Sequence, residues 1–214
     1  MKRSTRKQRV ISVGKGRGFV IETDDRHLVV TAAHCLPKFP PPASITYTRE
    51  RTYRNLLGAI DTRRTVWTEC LFVDPVADIA VLDTPDTQEL SDKVGAYERL
   101  VKSVVPLRVS ELHGATAKAQ LLPLDDGPSF GCFIRVARRG SLWIEEPERE
   151  IEGGMSGSPI LAEDGSSIGV LVTTEGPQPG LVSHLPGWLL REVGCAVSAS
   201  SNLPAQSPDR PPFE

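Results

Sequence analysis

The chain has 214 residues, enough for one domain with extensions and for a core that needs no metal or disulfide staple. Lys and Arg number 25 against 27 Asp and Glu, and a net charge of −2 offers no bulk attraction to nucleic acid. Gly and Pro, 18 of each, make up about 17% of the chain against a usual ~12%, so turns are frequent and a helix bundle is disfavoured, while no run of 18 apolar residues offers a membrane-spanning helix.

Residues 1–9 hold five cations (Lys2, Arg3, Arg6, Lys7 and Arg9) and read as a mobile basic arm. Val10-Ile11-Ser12-Val13 follows, too short for the apolar stretch of a signal peptide, so no export by that route is expected. Residues 10–196 carry the apolar periodicity of the folded domain. Short β-branched or apolar runs bounded by Gly, Pro, Asp and Ser predict strands at 10–13, 18–22, 27–31, 44–48, 66–73, 79–82, 104–109, 115–122, 133–137, 141–145, 159–161 and 167–173. Such spacing without intervening long helices predicts an all-β fold, a sandwich or a pair of barrels. A single helix is predicted at 186–194, with Pro186 near its start and Gly194 at its end. Residues 197–214 are polar and Pro-rich and read as a disordered tail. Cys35, Cys70, Cys132 and Cys195 form no CxxC pair, which argues against zinc; four free thiols in a reducing, cytoplasmic setting are expected.

The chemistry-bearing segment is Glu152-Gly153-Gly154-Met155-Ser156-Gly157-Ser158-Pro159. A serine hydroxyl attacks only when it is aimed and lies beside a base. Flanking glycines can take positive φ and turn the N–H groups of Gly154 and Ser156 toward one point, where two donors would stabilise an oxyanion. Alone, the segment reads more readily as a Gly/Ser turn between strands. Of the four histidines, only His34 directly follows an apolar strand, behind the small residues Ala32 and Ala33. A histidine base needs an acceptor on its second nitrogen. Asp78, at the opening of the apolar run 79–82, is the best candidate; Asp74 precedes Pro75 and reads as a turn residue, and Asp83 lies at the far end of the strand.

Gly16–Val20, then Thr31-Ala32-Ala33-His34-Cys35, Asp78-Ile79-Ala80-Val81-Leu82 and Gly154-Met155-Ser156-Gly157-Ser158-Pro159-Ile160 together resemble the trypsin/chymotrypsin-like serine peptidases over about residues 10–174. The Asp78–Leu82 form is most similar to the bacterial branch that includes the high-temperature-requirement proteases and the glutamyl endopeptidases. The resemblance implies two six-stranded antiparallel β-barrels with the active site in the cleft between them, plus the short C-terminal helix. It implies Ser156 as nucleophile, His34 as base and then acid, Asp78 as the group orienting His34, and the Gly154 and Ser156 amides as oxyanion hole. Val170, Leu171, Val172 and Thr173 match the strand that pairs with substrate backbone.

Departures from the pattern carry expectations of their own. Met155 stands where zymogens of the family place an Asp that pairs with a new N-terminus, so that switch is unavailable. Cys35 has no partner cysteine in the preceding strand, and with only about 20 polar residues after Cys195 no peptide-sensing extension of PDZ length is expected. The strand at 168–173 lacks the His that selects acidic substrates. Glu150 stands six residues before Ser156, where an ungapped match puts the acid of a basic-specific pocket, but its run Glu145-Glu146-Pro147-Glu148-Arg149-Glu150 reads as a solvated loop. The expectation is therefore an apolar pocket at Val170, Leu171 and Val172. The resemblance implies a serine endopeptidase acting on polypeptide, with no cofactor, metal, nucleic acid or membrane, and held in check by expression, a regulatory protein partner or a closed cleft. Two other readings use the same residues: a dormant peptide-binding module and an esterase or acyl transferase. A third, an adaptor working through residues 1–9, is weaker than a solubilising role for that arm.

Overall fold

The computed structural model describes residues 9–40, 50–86, 88, 90–112, 114–136, 142–172 and 180–192. Its first six strands are β1 (Ile11–Val13), β2 (Gly16–Glu22), β3 (His27–Ala32), β4 (Thr52–Gly58), β5 (Val66–Asp74) and β6 (Ile79–Asp83). The other six are β7 (Thr116–Leu121), β8 (Phe130–Val136), β9 (Leu142–Glu145), β10 (Pro159–Leu161), β11 (Ser167–Val172) and β12 (Leu181–Ser183). Helix α1 (Ser91–Val101) lies between the two sets and α2 (Gly187–Glu192) follows them.

The first set closes in the order β1-β2-β3-β6-β5-β4 and the second in the order β10-β11-β12-β9-β8-β7, both antiparallel. The expected pair of six-stranded barrels is present. Closure gives every barrel strand a partner on each side, so that no whole strand stands as a free sheet edge. It also explains why β3, β6 and β11 read as continuous apolar runs rather than alternating ones. One face of each fills a barrel and the other is covered, so nearly every position along them is buried.

Two apolar clusters result. One fills the second barrel with Leu121, Phe130, Ile134, Leu142, Ile144, Met155, Ile160 and Leu171. The other begins in the first barrel with Ile11, Phe19, Ile21, Val30, Leu57 and Leu82, and runs on through Leu122, Leu161, Val170, Val172 and Leu189. The seam between the barrels is therefore part of the core.

Several expected elements differ. Residues 104–109 form no strand of their own but strap the two barrels together. Leu107 donates its N–H to Val20 of β2 (2.8 Å), while Arg108 and Ser110 bond Ser167 of β11 (2.8 and 2.9 Å). With both barrels already closed, no ladder is left for the strap to extend. Strand β4 was not expected because alternation fails along it: Asn55 has φ +54° and the register slips between Tyr53 and Leu57. Helix α1 was also not expected, although Tyr97, Leu100 and Val101, its buried residues, recur at the three-and-four spacing of a helix face. At three residues, β12 is too short to read from pattern. The expected strand at 44–48, Cys195, most of the arm and the whole tail lie outside the described residues.

Cys35, Cys70 and Cys132 are free and buried. Burial pushes their thiols up to about 11, 11 and 12 respectively, which leaves almost no thiolate at neutral pH. All three should resist alkylation in the native protein and react once it is denatured, and millimolar reductant should leave the thermal midpoint unchanged. Peptide mass mapping checks both; a bridge involving any of the three would contradict the structure.

Candidate active site

Strand β3 ends at Ala32, and the small residues there allow a single tight 3₁₀ turn, Ala33–Cys35, that buries Ala33 and Cys35 and turns His34 outward. Asp78 closes the turn between β5 and β6 with φ +52°, a left-handed conformation in which Asp is among the better tolerated side chains. Its backbone is held on several sides. Asp74 Oδ1 accepts the N–H groups of Val76 and Ala77 (2.9 and 3.0 Å), which is the turn role read for it from the sequence. Asp78 carbonyl accepts Ala33 N–H (3.1 Å), and the Ser183 hydroxyl of β12 donates to the Ala77 carbonyl. Asp83, by contrast, pairs with Arg26 (2.9 Å), away from His34.

The Asp78 carboxylate grips His34 with both oxygens. Oδ1 accepts the His34 backbone N–H at 2.8 Å, and Oδ2 lies 2.6 Å from ring Nδ1. The proton on Nδ1 is thereby fixed toward the carboxylate, and the neutral ring keeps its lone pair on Nε2. The hydrogen bond to Asp78 raises the imidazole pKa above its ordinary 6.5; partial burial opposes the shift and the carboxylate's charge adds to it. His34 thus combines a defined tautomer with a strengthened basicity.

Ser156 belongs to the other barrel's loop and is 4% exposed. Met155, fully buried in the second core, anchors that loop, with its N–H on the Glu152 carbonyl (3.2 Å) and its sulfur facing Glu152 N–H (3.3 Å). The Met155 amide is thus taken up inside the loop, between the amides of Gly154 and Ser156. Gly154 has φ +91° and Gly157 φ +82°. At Gly157 a Cβ would lie 1.9 Å from the Arg17 carbonyl oxygen, so only glycine fits. Across the seam, Ser156 carbonyl accepts Arg17 N–H at 2.8 Å and lies 3.8 Å from Cys35 Sγ, next to His34.

Val170 and Leu171 are fully buried and Val172 is 8% exposed, so their side chains belong to the cores and do not form the wall of the open apolar pocket expected from the sequence. Val170 pairs with Pro159 and Ser183, while Leu171 exchanges both backbone bonds with the Gly157–Ser158 turn (2.8 and 2.9 Å). A strand added to β11 would therefore lie beyond them, at Val172 and Thr173, the latter outside the described residues. Glu150 is exposed, in a loop tied down by Glu148 to Gly131 N–H (2.7 Å) and Arg149 to Asp125 (2.9 Å). Among the described residues no cluster of His, Cys, Asp or Glu could hold a metal ion.

Two residues at the seam were not read from the sequence: Ser183, which steadies the peptide before Asp78, and Arg17, 4% exposed in β2. The second had a signal, a charged residue between two glycines inside an otherwise apolar run.

No family model and no curated protein sequence matches the chain. Among solved structures, the Rv3671c protease of M. tuberculosis, in its inactive form, is similar over 88% of this chain and 90% of that one, with TM-score 0.51 and 19% identity. The MamO protease domain from Magnetospirillum magneticum, in its apo form, is similar over 86% and 95%, with TM-score 0.50 and 15% identity. At these identities the likeness is one of fold, the double barrel of trypsin-like serine proteases.

The His34–Asp78 contact makes a prediction that needs no activity. In ring-proton NMR titrations His34 should titrate above 6.5, and Asp78→Asn should bring it down toward or below that value. A raised folded pKa stabilises the fold fully below about pH 6.5 and loses that contribution as pH rises through the His34 pKa, so the wild type's stability advantage over Asp78→Asn should shrink on the alkaline side.

Proposed function

We propose that the chain is a serine endopeptidase. The observation that carries the reading is the 2.6 Å contact between His34 Nδ1 and Asp78 Oδ2 at the seam to which the Ser156 loop is docked. Ser156 Oγ attacks the carbonyl carbon of a peptide bond and His34 Nε2 takes the hydroxyl proton. Asp78 holds the imidazolium that forms, already favoured by the raised pKa of His34. The tetrahedral oxyanion is received by the Gly154 and Ser156 amides. Collapse breaks the C–N bond, His34 returns the proton to the leaving amine, and a water activated by the same ring hydrolyses the acyl-enzyme.

The substrate is a polypeptide whose backbone adds along β11 from Val172 onward, since Val170 and Leu171 have their backbone groups engaged. Small or medium apolar side chains are preferred before the cut, because Glu150, the acid that an ungapped match puts in a basic-specific pocket, is exposed in its loop. The buried free thiols suit a reducing compartment.

A fluorophosphonate should label wild-type protein on Ser156, and Ser156→Ala should abolish both labelling and peptide turnover while leaving the fold intact. Absence of labelling in folded wild type would favour the dormant binding module, and turnover of esters but not matched peptides the esterase. Asp78→Asn should lower kcat by about 10⁴, while Asp74→Asn should not. Activity should rise with pH as His34 deprotonates, with a midpoint above 6.5. Glu150→Gln should leave the ratio of rates on matched Arg and Leu peptides unchanged; Arg-only cleavage lost in that variant would overturn the apolar preference.

A further inference from the structure

Resting on the serine-peptidase reading, we propose that Arg17 is a positioning residue that sets the place of Ser156 and of the Gly154 side of the oxyanion site. A guanidinium that is 4% exposed must find acceptors, and Arg17 finds them across the seam. Strand β7 ends at Leu121, and the next two carbonyls leave its ladder: Arg17 Nη1 donates to Leu122 O (3.1 Å) and Pro123 O (2.9 Å). Leu124 follows directly, and its Cδ2 is the nearest neighbour (3.7 Å) of the side-chain position at Gly154. The main chain of the same residue works on the nucleophile. Arg17 N–H holds the Ser156 carbonyl at 2.8 Å, and Arg17 carbonyl is held by Thr31 Oγ1 of β3 at 2.6 Å.

One residue of the first barrel therefore grips the second barrel at two points that flank the reacting centre. The fit is close: a Cβ on Gly16 would come within 2.5 Å of the Ser156 carbonyl oxygen, and one on Gly157 would strike the Arg17 carbonyl. His34 and Asp78 both stand on the first barrel and make their contact without Arg17, so Arg17 governs the distance between the two halves of the site and leaves the basicity of His34 untouched.

The test is Arg17→Met, which keeps the length of the stem and removes the donors, with Arg17→Lys as the conservative rescue. In folded Arg17→Met, kcat and the fluorophosphonate labelling rate should fall by about 100-fold, the cost of roughly an ångström of misplacement, with KM nearly unchanged. The pH midpoint of labelling should stay where it is in wild type. Amide hydrogen exchange should quicken at 122–124 and 152–158 but not at 79–82. Arg17→Lys, whose ammonium can still reach one carbonyl, should recover part of the rate and of the protection. Wild-type kcat and protection in Arg17→Met, or a shifted pH midpoint, would overturn the proposal. If Arg17→Met does not fold, Arg17→Lys decides alone: a labelling rate and loop protection equal to wild type would overturn it, an intermediate pair would support it. If wild-type protein itself resists the probe, the serine-peptidase reading fails while hydrogen exchange still decides whether Arg17 holds the loop.

Discussion

The candidate nucleophile and its base stand on different barrels, so everything at this site depends on how the seam is fastened. At its centre is the hydrogen bond from Arg17 N–H to the Ser156 carbonyl, 2.8 Å long. For two backbones to meet that closely, no side chain can intervene, and glycine stands on both sides of the contact, at Gly16 and Gly157. Around this polar centre the seam is apolar. Leu122, Val170, Val172 and Leu189 join the core of the first barrel, which makes the barrels one packed body rather than two hinged ones. The strap at 104–110 adds backbone bonds to both.

The second fixed point is Asp78. A left-handed residue at a turn costs a little strain, and it persists only where its surroundings over-determine it. Here the Asp74 turn, the Ala33 amide, the His34 amide and the Ser183 hydroxyl all hold the stretch from Val76 to Asp78. The strain leaves both carboxylate oxygens facing His34, one occupied by the backbone and one by the ring. Rotation of the carboxylate would break two bonds at once, so the imidazole tautomer rests on geometry that is already paid for by the turn.

How much of this could be read in the residues follows from how local each signal is. His34 comes after an apolar strand, Asp78 opens one, and Ser156 lies between glycines, so each is marked by its immediate neighbours. Barrel strands such as β2, β3, β6 and β11 are legible for the same reason. Strand β4 is not, because its pleat is interrupted by Asn55; nor is β12, which is too short to show a period. Helix α1 has its face spelled out by Tyr97, Leu100 and Val101, but Gly95 in its middle and an exposed first turn obscure it. Arg17 bonds carbonyls 105 and 106 residues away, and Ser183 bonds Ala77 from the other barrel. The setting of Arg17 between two glycines marks it as unusual, but nothing local names the distant carbonyls that either side chain reaches. The closed order of each barrel is likewise a long-range property, which the resemblance supplied and periodicity did not.

Each barrel is built from one uninterrupted stretch of chain, the first complete at Asp83 and the second only at Ser183. On a ribosome adding about 5–20 residues per second, those two points are separated by roughly 5–20 s. During that interval the nascent chain can hold the His34–Asp78 pair but has no finished barrel to carry Ser156. The last strand to emerge, β12, brings Ser183, which reaches back to Ala77. The seam is thus the last part of the fold that can close, because both sides of it exist only once β12 has emerged.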